Sequence, residues 1–156
     1  MTVYLVRHAH AVGRGRWDGD DLQRPLSALG HRQTAGLVKL LGGEPIRRIL
    51  SSPAVRCVDS VTPLAGELGH RVKHRSELLE GEPRPPAFEL LRGAAGRKGD
   101  SVACCHGDLV PEVLRWVSAM GARLEGGDRW TKGSTWCLDW EGDRFVRGRY
   151  LPPVEA

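Results

Sequence analysis

No stretch of the 156 residues carries the ~20 consecutive apolar side chains that a membrane helix needs. The opening residues, MTVYLVR, read as a β-strand and not as a secretory leader, so a cytoplasmic protein is expected. The 4 cysteines (Cys57, Cys104, Cys105 and Cys137) contain no C-x-x-C pair, which argues against a zinc site or a disulfide framework. Cys104 and Cys105 stand side by side in an apolar run, the setting of small, reduced core residues. Charge of one sign is scarce: 23 Lys and Arg face 19 Asp and Glu, for a net +4. That favours an anionic partner only slightly, and the basic residues form no stripe of the kind that follows a nucleic-acid backbone. The 20 glycines follow no G-X-Y period and sit at turns, which excludes a collagen-like chain.

What is present is an ordinary globular composition, 40% hydrophobic and 27% charged, of a length that suits one domain over 1–156. Thr2–Val6 is a short apolar run, as in a strand buried on both faces. Arg7–Gln23 is a polar, glycine-rich loop with arginines, Trp17 and an acidic cluster. Ser27 is expected to cap a helix over Ala28–Leu41, stopped by Gly42 and Gly43. Ile46–Leu50 reads as a second strand. A helix is expected to open at Ser51-Ser52-Pro53, with a serine as cap, and to run to Leu68 before Gly69. Pro63 should kink or divide it. Arg71–His74, a loop over Glu77–Pro86, a helix over Ala87–Ala95 and a strand over Ser101–Cys105 follow. After His106-Gly107-Asp108 comes a helix over Pro111–Met120. The chain closes with a hairpin, Ser134–Trp140 turning at Glu141-Gly142-Asp143 into Arg144–Tyr150. Strands alternating with helices predict an α/β fold, a three-layer α/β/α sandwich with a mainly parallel central sheet and a C-terminal β-hairpin.

In such sheets ligands sit beyond the carboxyl ends of the strands. The residues there are Arg7 and His8 after the first strand, Ser51–Arg56 after the second, and His106 after the fourth. A neutral imidazole is a competent nucleophile toward phosphorus, and guanidinium forks match phosphoryl oxygens. Each residue alone reads as a capping or solvated group; the set converges on one face. A second, protonated histidine would add a donor toward the charge that develops in phosphoryl transfer, with no metal needed. His8-x-His10 also occurs in metal hydrolases, but the further ligand motifs are missing. A non-catalytic polyphosphate or nucleic-acid binding module is the rival reading, with 5 tryptophans to support it. Four of them, Trp116, Trp130, Trp136 and Trp140, fall where core packing explains them.

Three blocks carry a resemblance. VYLVRHAHA (Val3–Ala11), LSSPAVRCVDS (Leu50–Ser60) and VACCHGD (Val102–Asp108) are similar, in order, to the signatures of the histidine phosphatase superfamily, with its phosphoglycerate-mutase-like fold. Arg24-Pro25-Leu26-Ser27 fits as well. The resemblance implies that His8 is the phosphorylated nucleophile, Arg7 and Arg56 are phosphate ligands, and His106 is the second pocket histidine. It implies a carboxylic general acid, for which Glu80 is the first candidate and Glu77, Glu82 and Asp108 are rivals. The chain lacks the lid insertions of mutases and the Thr-x-x-Asn of the first block. It therefore resembles the small branch: phosphohistidine phosphatases and the phosphatase domains fused to Nudix hydrolases. A small phosphorylated metabolite, a nucleotide or a phosphohistidine protein is the implied substrate, with no cofactor, nucleic acid or membrane. Arg14, with Arg16 and Trp17, could hold a second phosphate or stack a base.

Overall fold

A computed structural model describes residues 1–156. Seven strands and four α-helices alternate: β1 (Thr2–Arg7), α1 (Ala28–Leu41), β2 (Ile46–Ser51), α2 (Val55–Leu68), β3 (Val72–His74), α3 (Arg84–Ala95), β4 (Asp100–Cys105), α4 (Leu109–Ala119), β5 (Arg123–Glu125), β6 (Thr135–Glu141) and β7 (Arg144–Leu151). They build one sheet in the order β3-β2-β4-β1-β6-β7-β5. Only β6 runs antiparallel to its neighbours, so the sheet is mainly parallel as expected. The hairpin β6–β7 joins the sheet along β1, and the short β5, which the sequence pattern did not reveal, pairs with β7.

Two apolar layers sandwich the sheet. Val3 and Leu5 of β1 face the core under α3 and α4, and Tyr4 and Val6 face the one under α1 and α2. This period-2 split on a strand buried on both faces accounts for the unbroken apolar run. Cys105 and Cys104 divide in the same way, and all four cysteines are buried free thiols. No helix is long and apolar enough to cross a membrane.

Local chemistry sets most boundaries. The Ser27 side chain accepts from the Gly30 amide at the start of α1, and Gly69 ends α2 with φ +72°, the left-handed conformation that glycine adopts without a Cβ penalty. Three expectations need correction. No serine caps α2, which begins behind Ala54 with no side-chain cap; Ser52 is instead engaged with His106 and the Ala54 amide. Pro63 does not divide α2, because it lies on the exposed face, where water can reach the carbonyl it leaves unpaired. Helices α3 and α4 start at Arg84 and Leu109, with prolines taken into their first turns, where a missing N–H has no intrahelical role.

Candidate active site

Strand register brings the chemistry together. Arg7 of β1 lies opposite Cys105 of β4, and Ser51 of β2 lies opposite Cys104, so three strands end at one level. The ladder continues past them, with the His8 amide donating to Cys105 O at 3.0 Å and the Ser52 amide to Cys104 O at 3.0 Å. His8, Ser52 and His106 therefore leave the sheet side by side, and the first turn of α2 adds Arg56. The rings of His8 and His106 meet edge to face, with centroids 5.4 Å apart.

His8 is only 6% exposed. Its Nδ1 lies 2.8 Å from the carbonyl oxygen of Ala9, and a carbonyl can only accept, so Nδ1 carries the hydrogen and Nε2 keeps its lone pair. Burial pushes the imidazole down to about 3, with the Arg56 and Arg7 cations adding to the effect against the Ala9 hydrogen bond. The ring is thus neutral across the physiological range, with Nε2 in the form a nucleophile requires. Its backbone is pinned on both sides: the Ala9 amide donates to Ser60 Oγ at 2.8 Å, and the Gly133 amide donates to His8 O at 2.9 Å.

His106, 1% exposed, sits beneath His8. Its Nε2 is 2.8 Å from Ser52 Oγ and its Nδ1 is 3.4 Å from a guanidinium nitrogen of Arg56. Arginine has only donors, so Nδ1 accepts, and Nε2 is the hydrogen-bearing atom directed at Ser52. This differs from the protonated partner expected from sequence, because Arg56 occupies the nitrogen that would carry the second proton. Arg56 is also 1% exposed and reaches out to Asp21 O (2.8 Å), Asp21 Oδ2 (3.1 Å) and Glu80 Oε2 (3.3 Å). Arg7 donates to Trp130 O at 2.8 Å and lies flat on Gly107, where a Cβ would stand 2.6 Å from its Cζ. Burial lowers the Arg7 guanidinium from its ordinary range. The Nε atoms of Arg7 and Arg56 and Oδ1 of Asp108 are buried without hydrogen-bond partners, three of the six side-chain atoms in this uncommon state.

Arg7 and His8 border a pocket of about 410 Å³ whose lining also includes His10, Arg14, Arg24, Glu80, Asp108 and Lys132, whereas the buried Arg56 and His106 are not part of that lining. Of the four candidate carboxylates, Glu80 and Asp108 reach it. Glu77 instead pairs with Arg75 at 2.6 Å, and Glu82 is exposed outside the lining. Glu80 takes a two-oxygen bond from Arg14 (3.0 and 2.9 Å) that ties the Arg14 loop across the mouth. Asp108 accepts from the Gly81 amide at 2.8 Å; burial would raise its carboxyl, but that bond and Arg84 outweigh it and hold the carboxyl low. Asp21 is likewise pushed up by burial and brought below its usual range by Arg24, Arg56 and Arg14. Trp17 turns its indole nitrogen to Asp20 O and does not line the pocket. His10 bonds Ser27 Oγ at 2.7 Å, and no group of three or more His, Cys, Asp or Glu side chains is placed to hold a metal.

Sequence reasoning missed Arg24 and Lys132 as groups of the pocket lining and Asp21 as the partner of Arg14, Arg24 and Arg56. Ser52 falls in the Ser51–Arg56 segment expected at a strand end, but nothing local points to His106 as its partner or to Ser60 as the acceptor of the Ala9 amide. The acidic cluster in the loop was a signal for Asp21, but no local pattern assigns Lys132 to the pocket, which it reaches from a turn more than 120 residues from His8 in the chain.

Known proteins resemble this chain in sequence and in fold. The family model of the Histidine phosphatase superfamily (branch 1) matches residues 3–82. An 8-oxo-(d)GTP phosphatase of Mycolicibacterium smegmatis is 35% identical over 99% of this chain, and the chain spans 49% of that protein. Among solved structures, the protein histidine phosphatase SixA in complex with tungstate matches with a TM-score of 0.74 at 18% identity, covering 99% of this chain and 97% of the other. A mycobacterial glucosyl-3-phosphoglycerate phosphatase bound to VO3 matches with a TM-score of 0.67 at 16% identity, covering 99% of both chains. At those identities the structural matches establish the fold.

Proposed function

Because the chain belongs to branch 1 of the histidine phosphatase superfamily, we propose that it is a phosphatase that needs no cofactor and works through a transient phosphohistidine at His8. The observation that carries this reading is the His8 ring, which is neutral by burial, fixed through Nδ1 to Ala9 O, and offers Nε2 next to two guanidinium groups. In the first step Nε2 attacks phosphorus while the bond to the leaving oxygen breaks and its electron pair departs with that oxygen. Glu80, the carboxylate partner of Arg14 and Arg56, takes the proton of the attacking water in the second step, and a leaving oxygen that needs a proton draws it from solvent. Arg7 and Arg56, each with an unpaired buried Nε–H, hold the equatorial oxygens, and His106 supports Arg56 from below. Water then attacks the phosphorus, the N–P bond breaks back to Nε2, and orthophosphate leaves.

For the substrate we favour a nucleotide or a similar small phosphorylated metabolite over a phosphohistidine protein. The support is the 8-oxo-(d)GTP phosphatase relative, which is alike over almost the whole chain, whereas the likeness to SixA extends only to the fold. The buried, reduced thiols suit a cytoplasmic setting. The test is turnover of p-nitrophenyl phosphate and of a nucleotide panel by the parent protein and by His8→Ala. Turnover lost in the variant supports the reading, and full activity in the variant ends it.

A further inference from the structure

The cations in and around the pocket differ in how they are neutralised. Arg14 pairs with Glu80 and Asp21, Arg24 pairs with Asp21, and Arg56 meets both carboxylates. Arg7 and Lys132 have no carboxylate partner. Arg7 adjoins the nucleophile and is accounted for by the transferred phosphoryl group. Lys132 is not accounted for. It is half-buried in the pocket wall, and burial together with the charges of Arg7, Arg24 and Arg14 lowers its ammonium from the ordinary range. A partly desolvated cation among three other cations is costly unless an anion joins them.

Its placement is not that of a wandering surface lysine. The next residue, Gly133 (φ +82°), donates its amide to Arg7 O at 3.1 Å and His8 O at 2.9 Å. Gln33 Nε2 donates to Lys132 O at 3.3 Å, while Gln33 Oε1 accepts from the His10 amide at 2.8 Å. A side chain added at Gly133 would stand 2.8 Å from Gln33 Oε1, so this turn packs closely on α1. The lysine backbone is therefore held to the same strand end as the nucleophile. The pocket lining has a single hydrophobic residue, so it offers little to an apolar leaving group.

We propose that Lys132 binds a second anionic group adjacent to the transferred phosphoryl, which makes the pocket selective for a phosphoanhydride end, such as the diphosphate of a nucleotide, over an isolated phosphomonoester. The proposal rests on the phosphatase reading above and deepens it. With such a substrate the terminal P–O bond of the anhydride breaks, the Nε2–P bond forms, and the electron pair leaves on the oxygen of the penultimate phosphate, whose charge Lys132 meets. Arg14 and Arg24 line the same volume, but their charges are already met by Glu80 and Asp21.

The experiment is calorimetric titration of His8→Ala protein, which cannot turn over, with inorganic pyrophosphate and with orthophosphate. Pyrophosphate should bind more tightly by about 10- to 100-fold, the scale of a hydrogen bond between charged groups. Lys132→Met should remove most of that preference while weakening orthophosphate less, and Lys132→Arg should keep it. No preference in His8→Ala, or a preference that survives Lys132→Met, overturns the proposal. Because the readout is binding, it is separate from the turnover that judges the phosphohistidine mechanism.

Discussion

Gly107→Ala tests whether the guanidinium of Arg7 must lie where it does. The new Cβ would stand 2.6 Å from Arg7 Cζ and Nη2 and 2.7 Å from Nε. Ordinary carbon contacts are about 3.5–4.0 Å, so the guanidinium must retreat by roughly 1 Å. It cannot do so freely, because Nη1 is held by Trp130 O at 2.8 Å and Nε is buried. Backbone conformation is not the issue, since Gly107 does not have a positive φ. A misplacement of about 1 Å at a phosphoryl ligand costs on the order of 100-fold, or about 2.7 kcal/mol of transition-state stabilisation. The fold should survive, since overpacking against the end of one side chain costs about 1–3 kcal/mol. The assay is kcat/KM on p-nitrophenyl phosphate for Gly107→Ala, Arg7→Ala and the double variant, with thermal melts to confirm folding. The double variant should be no worse than Arg7→Ala, because the glycine acts only through the arginine. Activity of Gly107→Ala within about threefold of the parent, or full additivity in the double variant, would refute the reasoning.

Two further predictions follow from the same contacts. The His8 imidazole titrates near 3 when folded and near its ordinary 6.5 when unfolded, so between those values the unfolded chain binds more protons. Its contribution is complete above about pH 6.5 and is lost on acidification at up to about 1.4 kcal/mol per pH unit. In denaturant melts, His8→Asn should therefore gain about 2 kcal/mol relative to the parent between pH 7 and pH 5; an unchanged difference would contradict the buried, neutral ring. Gly30→Ala, normally favourable within a helix, should here destabilise by roughly 1–3 kcal/mol, read as a lower melting temperature. The reason is that its Cβ would meet His10 O at 2.0 Å where α1 packs on the pocket loop.

The layers and the strand ends were legible in the sequence because their signals are local. Period-2 burial appears as continuous apolar runs in β1 and β4, Ser27 and Gly69 punctuate helices, and His8, Arg56 and His106 fall directly after predicted strands or at a helix start. What escaped depends on distant partners. Ser52 looks like a helix cap until its hydroxyl is seen to be engaged by His106, 54 positions away. Glu77 and Glu80 are indistinguishable in the string SELLEG, and only the fold sends one to Arg75 and the other to Arg14 and Arg56. β5 is a three-residue strand with alternating charge, Arg123–Glu125, and owes its existence to pairing with β7.

The central claim concerns a covalent bond, and it is best tested by catching that bond. Rapid quenching of the working enzyme into alkali, followed by peptide mass spectrometry, should find one phosphoryl group on the His8 peptide during turnover, and none in His8→Ala. Steady release of orthophosphate with no such adduct, or with the adduct on His10 or His106, would contradict the account.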